Sequence, residues 1–371
     1  MNTLPPGPTV SLDAVQALRG ATTDYFQVWD TTLDAPEAGF VRFRGQFIVD
    51  PADCFEDLRA RYEAFGFTPT ANEEGQAVAL VAIPTVFHPT PTNNTVNLLL
   101  FLATILSTLF IGASYAATSL DQMWQIWRGW PFSLTIMLIL GAHEMGHYFA
   151  ARYHKVPVTL PYFIPLPIPF SFGTMGAVIR LKGPVTNRRS LLDVGAAGPW
   201  AGMLFAVPLL LYGLATSEVG PLPPGGYTME GNSILYAAMK MMVFGRFLPA
   251  DGLDVQLNQM AWAAWVGLLV TSLNLIPLGQ LDGGHVASVL FGEKAKQLFW
   301  PVIISMVALV ALTQTTTWVL WIFILFFLGR TYAQPLDQVT ELDPRRRLIA
   351  IVTLALFVLV FVPVPLQFVT P

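Results

Sequence analysis

The most constraining feature of this 371-residue sequence is an ionisable motif inside an apolar stretch. The motif His-Glu-Met-Gly-His occupies 143–147 and lies within the apolar run 131–153. Ionisable side chains are costly to bury in hydrocarbon, so they require a compensating partner. On a helix, His143 and His147 share one face and can both direct an imidazole at one zinc ion, with Glu144 beside them to handle a proton. The motif therefore predicts a metal site inside a membrane-length helix.

The composition indicates a polytopic membrane protein rather than a chain of soluble domains. Hydrophobic residues make up 54% of the chain, charged residues 12%, and the mean hydropathy is +0.54. Before residue 88 there are five basic and twelve acidic residues, which indicates an acidic soluble segment joined to a mildly basic membrane segment. Nothing in this balance favours nucleic acid as a partner. Cys54 is the only cysteine, which excludes an intrachain disulfide and a cysteine-based zinc site.

The sequence divides into four segments. Residues 1–38 are interpreted as a flexible leader, with a short first helix as the alternative over 1–20. Residues 39–87 are interpreted as a small soluble α+β domain and 88–93 as a linker. The small domain is expected from a strand-like stretch near 40–49, a helical stretch that opens with Asp-Pro, and a second apolar strand-like stretch that ends at Pro84. A transmembrane domain that contains the motif is then predicted over 94–371.

Seven apolar stretches follow the linker, and about 20 residues suffice to cross a bilayer. They lie near 94–116, 131–153, 193–216, 259–280, 297–313, 316–333 and 347–366. We therefore predict an all-α polytopic membrane protein with about six to seven transmembrane helices. Loops predicted on the cytoplasmic side contain twelve Lys and Arg residues against three in the opposite loops. This asymmetry predicts that the N-terminal domain and the ends of the second and fourth spans are cytoplasmic.

A proline-punctuated apolar stretch over 158–170 cannot form a spanning helix. Non-helical backbone at membrane depth survives only inside protein or beside a water-filled cavity, so a re-entrant extended segment is predicted here. The following residues, 172–180, are typical of a strand. The exposed edge of such a strand near a peptidase centre can pair with an extended substrate.

A catalytic zinc site commonly has three protein ligands, so the motif needs one more. The chain contains three other histidines, of which His285 belongs to a second unusual motif that begins at Asn274. Proline and glycine residues break the helix within that motif and allow Asp282 to turn inward. Topology places Asp282 and His147 at the same membrane face. Asp282 is therefore the predicted third ligand, and His285 is the alternative.

These residues suggest a division of labour around one zinc ion per chain. His143, His147 and Asp282 would hold the metal, and Glu144 would accept the proton of a metal-bound water. Asn274 would donate a hydrogen bond to the substrate or to the developing oxyanion, although an interhelical hydrogen bond is an equal alternative. Glycines in the third span are interpreted as helix-packing residues.

Three stretches resemble the site-2 protease family of intramembrane zinc metalloproteases, and more narrowly its cyanobacterial and plant-plastid-like branch. They are the motif at 143–147, the motif Asn274-x-x-Pro277-x-x-x-x-Asp282-Gly283, and the intervening stretch from Leu160 through Ala177. The resemblance covers a catalytic core of about 131–290. It implies zinc held by two histidines and one aspartate, and cleavage of transmembrane substrates within or near the bilayer. No PDZ-like domain is evident between the motif helices.

The leading hypothesis is therefore a zinc-dependent intramembrane endopeptidase with single-span membrane proteins as substrates and the lipid bilayer as its surroundings. The alternative is a membrane transporter or metal-binding channel with a buried His/Asp site. Glu144 favours the peptidase, because a transport site does not need a carboxylate at this spacing. The N-terminus lacks signal-peptide and transit-peptide character, which favours a bacterial plasma membrane. The sequence leaves the substrate and the oligomeric state open.

Overall fold

The structure, a computed structural model, describes residues 9–168, 171–222, 225, 227–315 and 317–369. Residues 1–8 of the predicted leader, 169–170 of the predicted re-entrant segment and 316 of the sixth predicted span lie outside the described residues. The chain forms two compact units. The first comprises Met1–Thr90, Leu181–Leu191 and Gln334–Pro344, and the second comprises Pro91–Arg180, Leu192–Ala333 and Arg345–Pro371.

The first unit is built on an antiparallel sheet. Its elements in chain order are α1 (Leu12–Thr22), β1 (Phe26–Leu33), β2 (Val41–Phe47), α2 (Pro51–Glu63), β3 (Thr68–Glu74) and β4 (Ala77–Ile83). The four strands lie in the order β1-β2-β4-β3. Helix α2 begins where the sequence predicts it, because the Asp50 carboxylate accepts a hydrogen bond from the Ala52 amide and Pro51 suits the first turn.

Large apolar side chains from the sheet and both helices form the core of the first unit. They include Leu18, Phe26, Phe43, Phe55, Leu58 and Leu80. Cys54 on α2 is also buried, with 3% of its surface exposed. Burial raises the pKa of the Cys54 thiol to about 11. Since the thiolate is the reactive form, this cysteine is a packing residue at neutral pH.

The flexible leader predicted for 1–38 is wrong for the described part of that segment, where α1 agrees with the alternative of a short first helix. Helix α1 is capped by Ser11, whose hydroxyl accepts a hydrogen bond from the Ala14 amide, and β1 pairs with β2 at both of its ends. The signal for β1 is weak because the strand is largely half-exposed and its pairing is interrupted by a register shift between Val28 and Asp30. The unit also recruits distant segments, since the Ala71 amide donates to the Leu336 carbonyl.

The second unit is mainly helical. Its helices are α3 (Asn94–Tyr115), α4 (Leu120–Met123), α5 (Trp130–Tyr153), α6 (Arg188–Ala215), α7 (Ile234–Phe244), α8 (Gln259–Asn274), α9 (Asp282–Phe291), α10 (Phe299–Thr313), α11 (Thr317–Leu328) and α12 (Pro344–Val360). Its strands are β5 (Tyr162–Leu166), β6 (Gly173–Val178), β7 (Glu218–Pro221), β8 (Tyr227–Glu230), β9 (Leu253–Gln256) and β10 (Leu366–Val369). The strands form three antiparallel pairs, β5 with β6, β7 with β9 and β8 with β10.

Each of the seven predicted apolar stretches contains a helix. Among the described residues, three helical runs are long and apolar enough to cross a membrane, namely Asn94–Tyr115, Arg188–Ala215 and Asp282–Thr313. Two further apolar helices, Ile234–Phe244 and Thr317–Leu328, are shorter. The prediction of a mostly helical membrane protein with an N-terminal sheet region is thus confirmed at this level. The fifth stretch differs, because a 3-10 turn joins α10 to α9 in one helical run.

The β5–β6 hairpin occupies the proline-punctuated stretch and runs beside α3. At one end the Asn97 side-chain amide donates to the Leu160 carbonyl at 2.8 Å. At the other end the Tyr115 hydroxyl donates to the Ser171 carbonyl at 2.9 Å. Because a helix rises 1.5 Å per residue, these two contacts are about 27 Å apart along α3. The hairpin therefore follows most of a membrane-length helix without itself being helical.

Candidate metal centre

Helix α5 places the histidines and the glutamate of the first motif in the interior of the second unit. His143, Glu144 and His147 have 3%, 5% and 6% of their surfaces exposed. The two histidines are one helical turn apart, so their rings lie on the same face, with ring centroids 4.8 Å apart. The Nε2 atoms of His143 and His147 are 3.1 Å from each other. Two imidazole nitrogens therefore converge on one point.

Asp282 completes this convergence from the start of α9. Its Oδ2 lies 3.1 Å from His143 Nε2, and its Oδ1 lies 3.2 Å from His147 Nε2. Zinc bonds to nitrogen and oxygen are about 2.0–2.1 Å long, so neighbouring vertices of a tetrahedral site are about 3.3 Å apart. The three side chains therefore form a group whose ligand atoms all lie within 4.8 Å of one another, with a different carboxylate oxygen of Asp282 facing each histidine. The donor set and its spacing fit a catalytic zinc ion.

The chain reaches this position through a glycine-dependent turn between α8 and α9. Gly279 has φ +58, a left-handed conformation that suits glycine. A Cβ atom on Gly283 would lie 2.0 Å from the Leu275 carbonyl oxygen, and one on Gly284 would lie 2.3 Å from the Gly279 carbonyl oxygen. Only glycine permits α9 to start this close to the preceding turn. The Asp-Gly-Gly sequence thus fixes where Asp282 lies.

The second nitrogen of His147 is held by α6. His147 Nδ1 donates to the Val194 carbonyl at 2.7 Å, a bond that leaves the Nε2 lone pair free to face Asp282 and His143. This assignment of the tautomer follows from the acceptor, because a carbonyl oxygen can only accept. Metal-bound histidines typically have such a partner on their other nitrogen. Val194 was not among the residues that the sequence singled out.

A glycine face of α6 lies directly against the histidine side chains. A Cβ atom on Gly198 would lie 2.1 Å from His147 Nε2, and one on Gly202 would lie 3.3 Å from the His143 side chain. A Cβ atom on Gly195 would lie 2.9 Å from that of His285. The sequence prediction was that these glycines pack helices together. The packing partners are the histidines of the metal centre, and the signal available in the sequence was the small-residue spacing of three and four.

The comparisons with known proteins agree with this geometry. Residues 131–313 match Peptidase family M50. The chain is also 29% identical over 374 residues to the probable zinc metalloprotease EGY2, chloroplastic, of Arabidopsis thaliana, which covers 96% of this chain and 66% of the relative. Residues 131–313 of the chain belong to peptidase family M50. The predicted resemblance to site-2 proteases is confirmed at this level, and the relatives are named as probable zinc metalloproteases.

Further relatives of this M50 protein have similar names. The probable zinc metalloprotease EGY2, chloroplastic, of Oryza sativa subsp. indica is 27% identical over 391 residues, covering 98% of this chain and 70% of the relative. The probable zinc metalloprotease EGY1, chloroplastic, of Arabidopsis thaliana is 30% identical over 242 residues, covering 63% of this chain and 43% of the relative. The M50 chain thus spans about two thirds or less of the length of most of these relatives. No solved structure matches it.

The two remaining predicted residues lie on either side of the M50 ligand cluster. Asn274 ends α8, and its side-chain nitrogen lies 3.4 Å from His143 Nε2, which is longer than a strong hydrogen bond. His285 is on α9, but its ring does not join the group formed by His143, His147 and Asp282. Its Nδ1 atom is buried and has no hydrogen-bond partner among the described residues. The structure therefore brings Asn274 to the cluster and leaves His285 outside it.

An ion-paired cluster lies next to the residue that holds His147. Asp193 on α6 accepts from His154 Nε2 at 2.8 Å and from the Arg346 guanidinium, whose closest nitrogen is 2.7 Å away. His154 follows α5 and Arg346 lies in the first turn of α12. Asp193 therefore ties three helices together one residue before the Val194 carbonyl. No local sequence pattern predicts this clamp, because its three members are far apart in the chain.

Glu144 of the M50 motif lies beside the end of strand β6. The Ile179 backbone amide, just past β6, lies near the Glu144 carboxylate. Strand β6 pairs with β5 along one edge, and among the described residues no strand pairs with its other edge. Met175 and Val178 on β6 are 69% and 52% exposed. An unpaired strand edge therefore ends at the predicted catalytic carboxylate.

Proposed function

We propose that this M50 protein is a zinc-dependent endopeptidase that cuts transmembrane substrates within or near the bilayer. The observation that carries the proposal is the convergence of His143, His147 and Asp282, whose facing atoms are 3.1–3.2 Å apart, with Glu144 next to His143 in the chain. One zinc ion per chain would be held by these three side chains. A transport site does not require the adjacent glutamate, so the arrangement favours hydrolysis over the transporter alternative.

The proposed chemistry assigns one task to each side chain. When bound, zinc supplies a Lewis acid that polarises the scissile carbonyl and lowers the pKa of a bound water. Glu144 accepts the proton of the attacking water and passes it to the leaving amine, so that one carboxylate serves first as base and then as acid. Asn274 is placed to donate a hydrogen bond from its amide to the carbonyl oxygen as negative charge develops there. Val194 keeps His147 in the tautomer that presents Nε2.

Substrate positioning is assigned to the free edge of β6. A transmembrane helix satisfies its backbone hydrogen bonds internally, so its scissile peptide must unwind before it can be attacked. An extended segment paired with β6 regains those backbone bonds from the strand edge. Because the strand ends where Ile179 meets Glu144, the pairing delivers a peptide bond to the catalytic carboxylate. Single-span membrane proteins are the substrate class that fits this arrangement.

The proposed membrane placement follows the loop charges. With six to seven spanning helices, the excess of basic residues in alternate loops puts the N-terminal domain and the zinc site on the cytoplasmic side. The β5–β6 hairpin then re-enters the membrane beside α3. A bacterial plasma membrane stays a prediction from the sequence, and the relatives that the chain matches are named as chloroplastic.

The test compares Glu144→Gln with the unaltered full chain in reconstituted vesicles that contain a single-span substrate. Zinc content, measured by metal analysis, is expected to stay the same, because Glu144 is not a ligand. Cleavage is expected to fall by about 10²–10⁴-fold, the usual contribution of general acid–base catalysis. Glu218→Gln, at an exposed position, is the matched control and should retain full cleavage. Unchanged cleavage in Glu144→Gln rejects the peptidase mechanism, and zinc-dependent ion flux without cleavage favours the transporter.

A further inference from the structure

A large cavity lies in the second unit at the end of α3 that carries Tyr115. Its volume is about 940 Å³, within the range of sites that bind small molecules or peptide side chains. Aromatic side chains, among them Tyr115, Phe172 and Trp262, form much of its wall together with aliphatic residues. Two carboxylates, Glu230 and Asp254, interrupt this apolar lining. Nothing in the metal centre accounts for such a cavity.

The carboxylates of this cavity are buried and incompletely neutralised. Glu230 and Asp254 have 7% and 8% of their surfaces exposed. Among the described residues, Lys240 is the cation that comes within 4.0 Å of either one, with its Nζ atom 3.6 Å from Glu230 and 4.0 Å from Asp254. The Tyr236 hydroxyl also donates to Glu230 at 2.9 Å but carries no charge. Two carboxylates against one ammonium leave room for a second cation.

A further polar atom of the wall has no partner. Gln259 donates its side-chain NH₂ to the Arg128 carbonyl at 3.1 Å. Its Oε1 atom is buried and accepts no hydrogen bond from the described residues. A buried acceptor without a donor is costly, and a ligand with N–H groups would relieve that cost. The cavity thus offers negative charge, an unfilled acceptor and aromatic faces, a combination that suits a basic side chain with an apolar stem.

Strand β6 connects this cavity to the metal centre. Phe172, in the cavity wall, directly precedes β6, and Ile179 at its other end lies near Glu144. Seven residues of strand at no more than about 3.3 Å each separate the two ends by at most about 23 Å. A substrate paired with β6 and cut at Glu144 would therefore extend into the cavity about seven residues from its scissile bond.

We infer that this cavity is a specificity subsite for a lysine or arginine in the flank of the substrate that runs along β6. The inference rests on the proposed function, since it needs a substrate cut at Glu144. The apolar stem of the basic side chain would lie against Tyr115 and Trp262. Its charged end would lie near Asp254 and Glu230 and neutralise the negative charge that Lys240 alone does not balance.

The experiment uses synthetic single-span peptides with a mapped cut site and neutral glutamine flanks, reconstituted with the full chain. One lysine is moved position by position along both flanks. We expect kcat/KM to be highest when the lysine is about seven residues from the cut, on one flank only. At that position kcat/KM should be about tenfold higher than for the all-glutamine peptide. A flat profile, or a maximum next to the cut, overturns the inference.

Asp254→Asn tests the charge directly. The ratio of cleavage between the best lysine peptide and the all-glutamine peptide is expected to fall toward one. Asp251→Asn, at an exposed position two residues before β9, is the matched control and should keep the full ratio. A preference for lysine that survives in Asp254→Asn contradicts the inference.

A binding measurement covers the case in which Asp254→Asn does not fold. In Glu144→Gln protein, a benzophenone placed seven residues from the mapped cut should crosslink to Tyr115 or Trp262. Crosslinks only to lipid or to other helices overturn the subsite. The two proposals can fail separately. If the unaltered chain cuts the glutamine peptide and Glu144→Gln does not, the peptidase assignment stands. The lysine profile alone then decides the inference about the subsite. If neither protein cuts any peptide, both fail.

Discussion

The second unit contains two buried polar clusters, and they manage buried charge in opposite ways. In the metal centre, His143, His147 and Asp282 turn lone pairs toward one point, where only a bound cation can satisfy all three. In the cavity cluster, Lys240 carries a positive charge into the same neighbourhood as its two carboxylates. The first cluster takes its cation from outside the chain, whereas the second contains one cation of its own for its two carboxylates.

The residues that surround the two clusters also differ, in their size and rigidity. Glycine backbone packs against the metal ligands, so the rings have no freedom to turn away from one another. Aromatic side chains surround the lysine, whose Nζ atom lies 4.6 Å from the centre of the Tyr236 ring. A site that must hold one geometry is bordered by rigid, small residues, whereas a charge that must only be neutralised is bordered by polarisable ones.

The largest effect on folding is expected from Lys240→Met. Removing the ammonium leaves two buried carboxylates without a countercharge, which typically costs about 3–5 kcal/mol. The thermal unfolding midpoint of the purified chain should fall, while zinc content at low temperature stays the same. Lys294→Met, at an exposed position, is the control and should leave the midpoint in place. An unchanged midpoint in Lys240→Met would show that the cavity cluster does not depend on its own cation.

A smaller effect, confined to the metal, is expected from Gly198→Ala. The added methyl group would overlap His147 at 2.1 Å, so the imidazole must move out of line. We expect a loss of zinc affinity of about 10–100-fold, the range found for changes beside metal ligands, measured by competition with a chelator. Gly141→Ala is a matched control on α5, because nothing lies within 4 Å of its added Cβ. Equal zinc affinity in the two variants would contradict the proposed role of the glycine face.

The smallest effect is expected from Asp193→Asn, which weakens the clamp without touching a ligand. The pair with Arg346 is partly exposed, so solvent reduces its contribution and about 1–2 kcal/mol of stability should be lost. Zinc affinity should fall by no more than about tenfold, through the neighbouring Val194 carbonyl. Asp121→Asn, at an exposed position, serves as the control. If Asp193→Asn lost more zinc affinity than Gly198→Ala, the Asp193 clamp would matter more for metal binding than the glycine face, contrary to this prediction.

Features that the sequence predicted well depend on local spacing. The pairing of His143 with His147 follows from one helical turn, and the break before Asp282 follows from proline and glycine. Contacts that depend on how a helix is rotated against another were not predictable from one sequence. The Val194 carbonyl is of this kind, because backbone atoms carry no residue-type signal. The spacing of the α6 glycines predicts helix packing, but it does not identify the histidines that they pack against.

The N-terminal region shows the same limit in a sheet. The predicted strand near 40–49 and the helix that follows correspond to β2 and α2, both of which have clear local patterns. Strand β3 reads Thr-Pro-Thr-Ala-Asn-Glu-Glu and is polar, and it is a strand because it pairs with β4. Here tertiary pairing overrides local propensity. The recruitment of residues near Leu336 by Ala71 also lies beyond any local pattern.

The burial of Cys54 has a practical consequence for mapping this protein in its membrane. As the only cysteine of the 371 residues, with its thiol held almost wholly protonated at neutral pH, it is nearly silent toward water-soluble maleimides. A single cysteine introduced at a loop position would therefore carry essentially all of the label on an otherwise natural chain. Each loop can in this way report which side of the bilayer it faces, with no background residue to remove first.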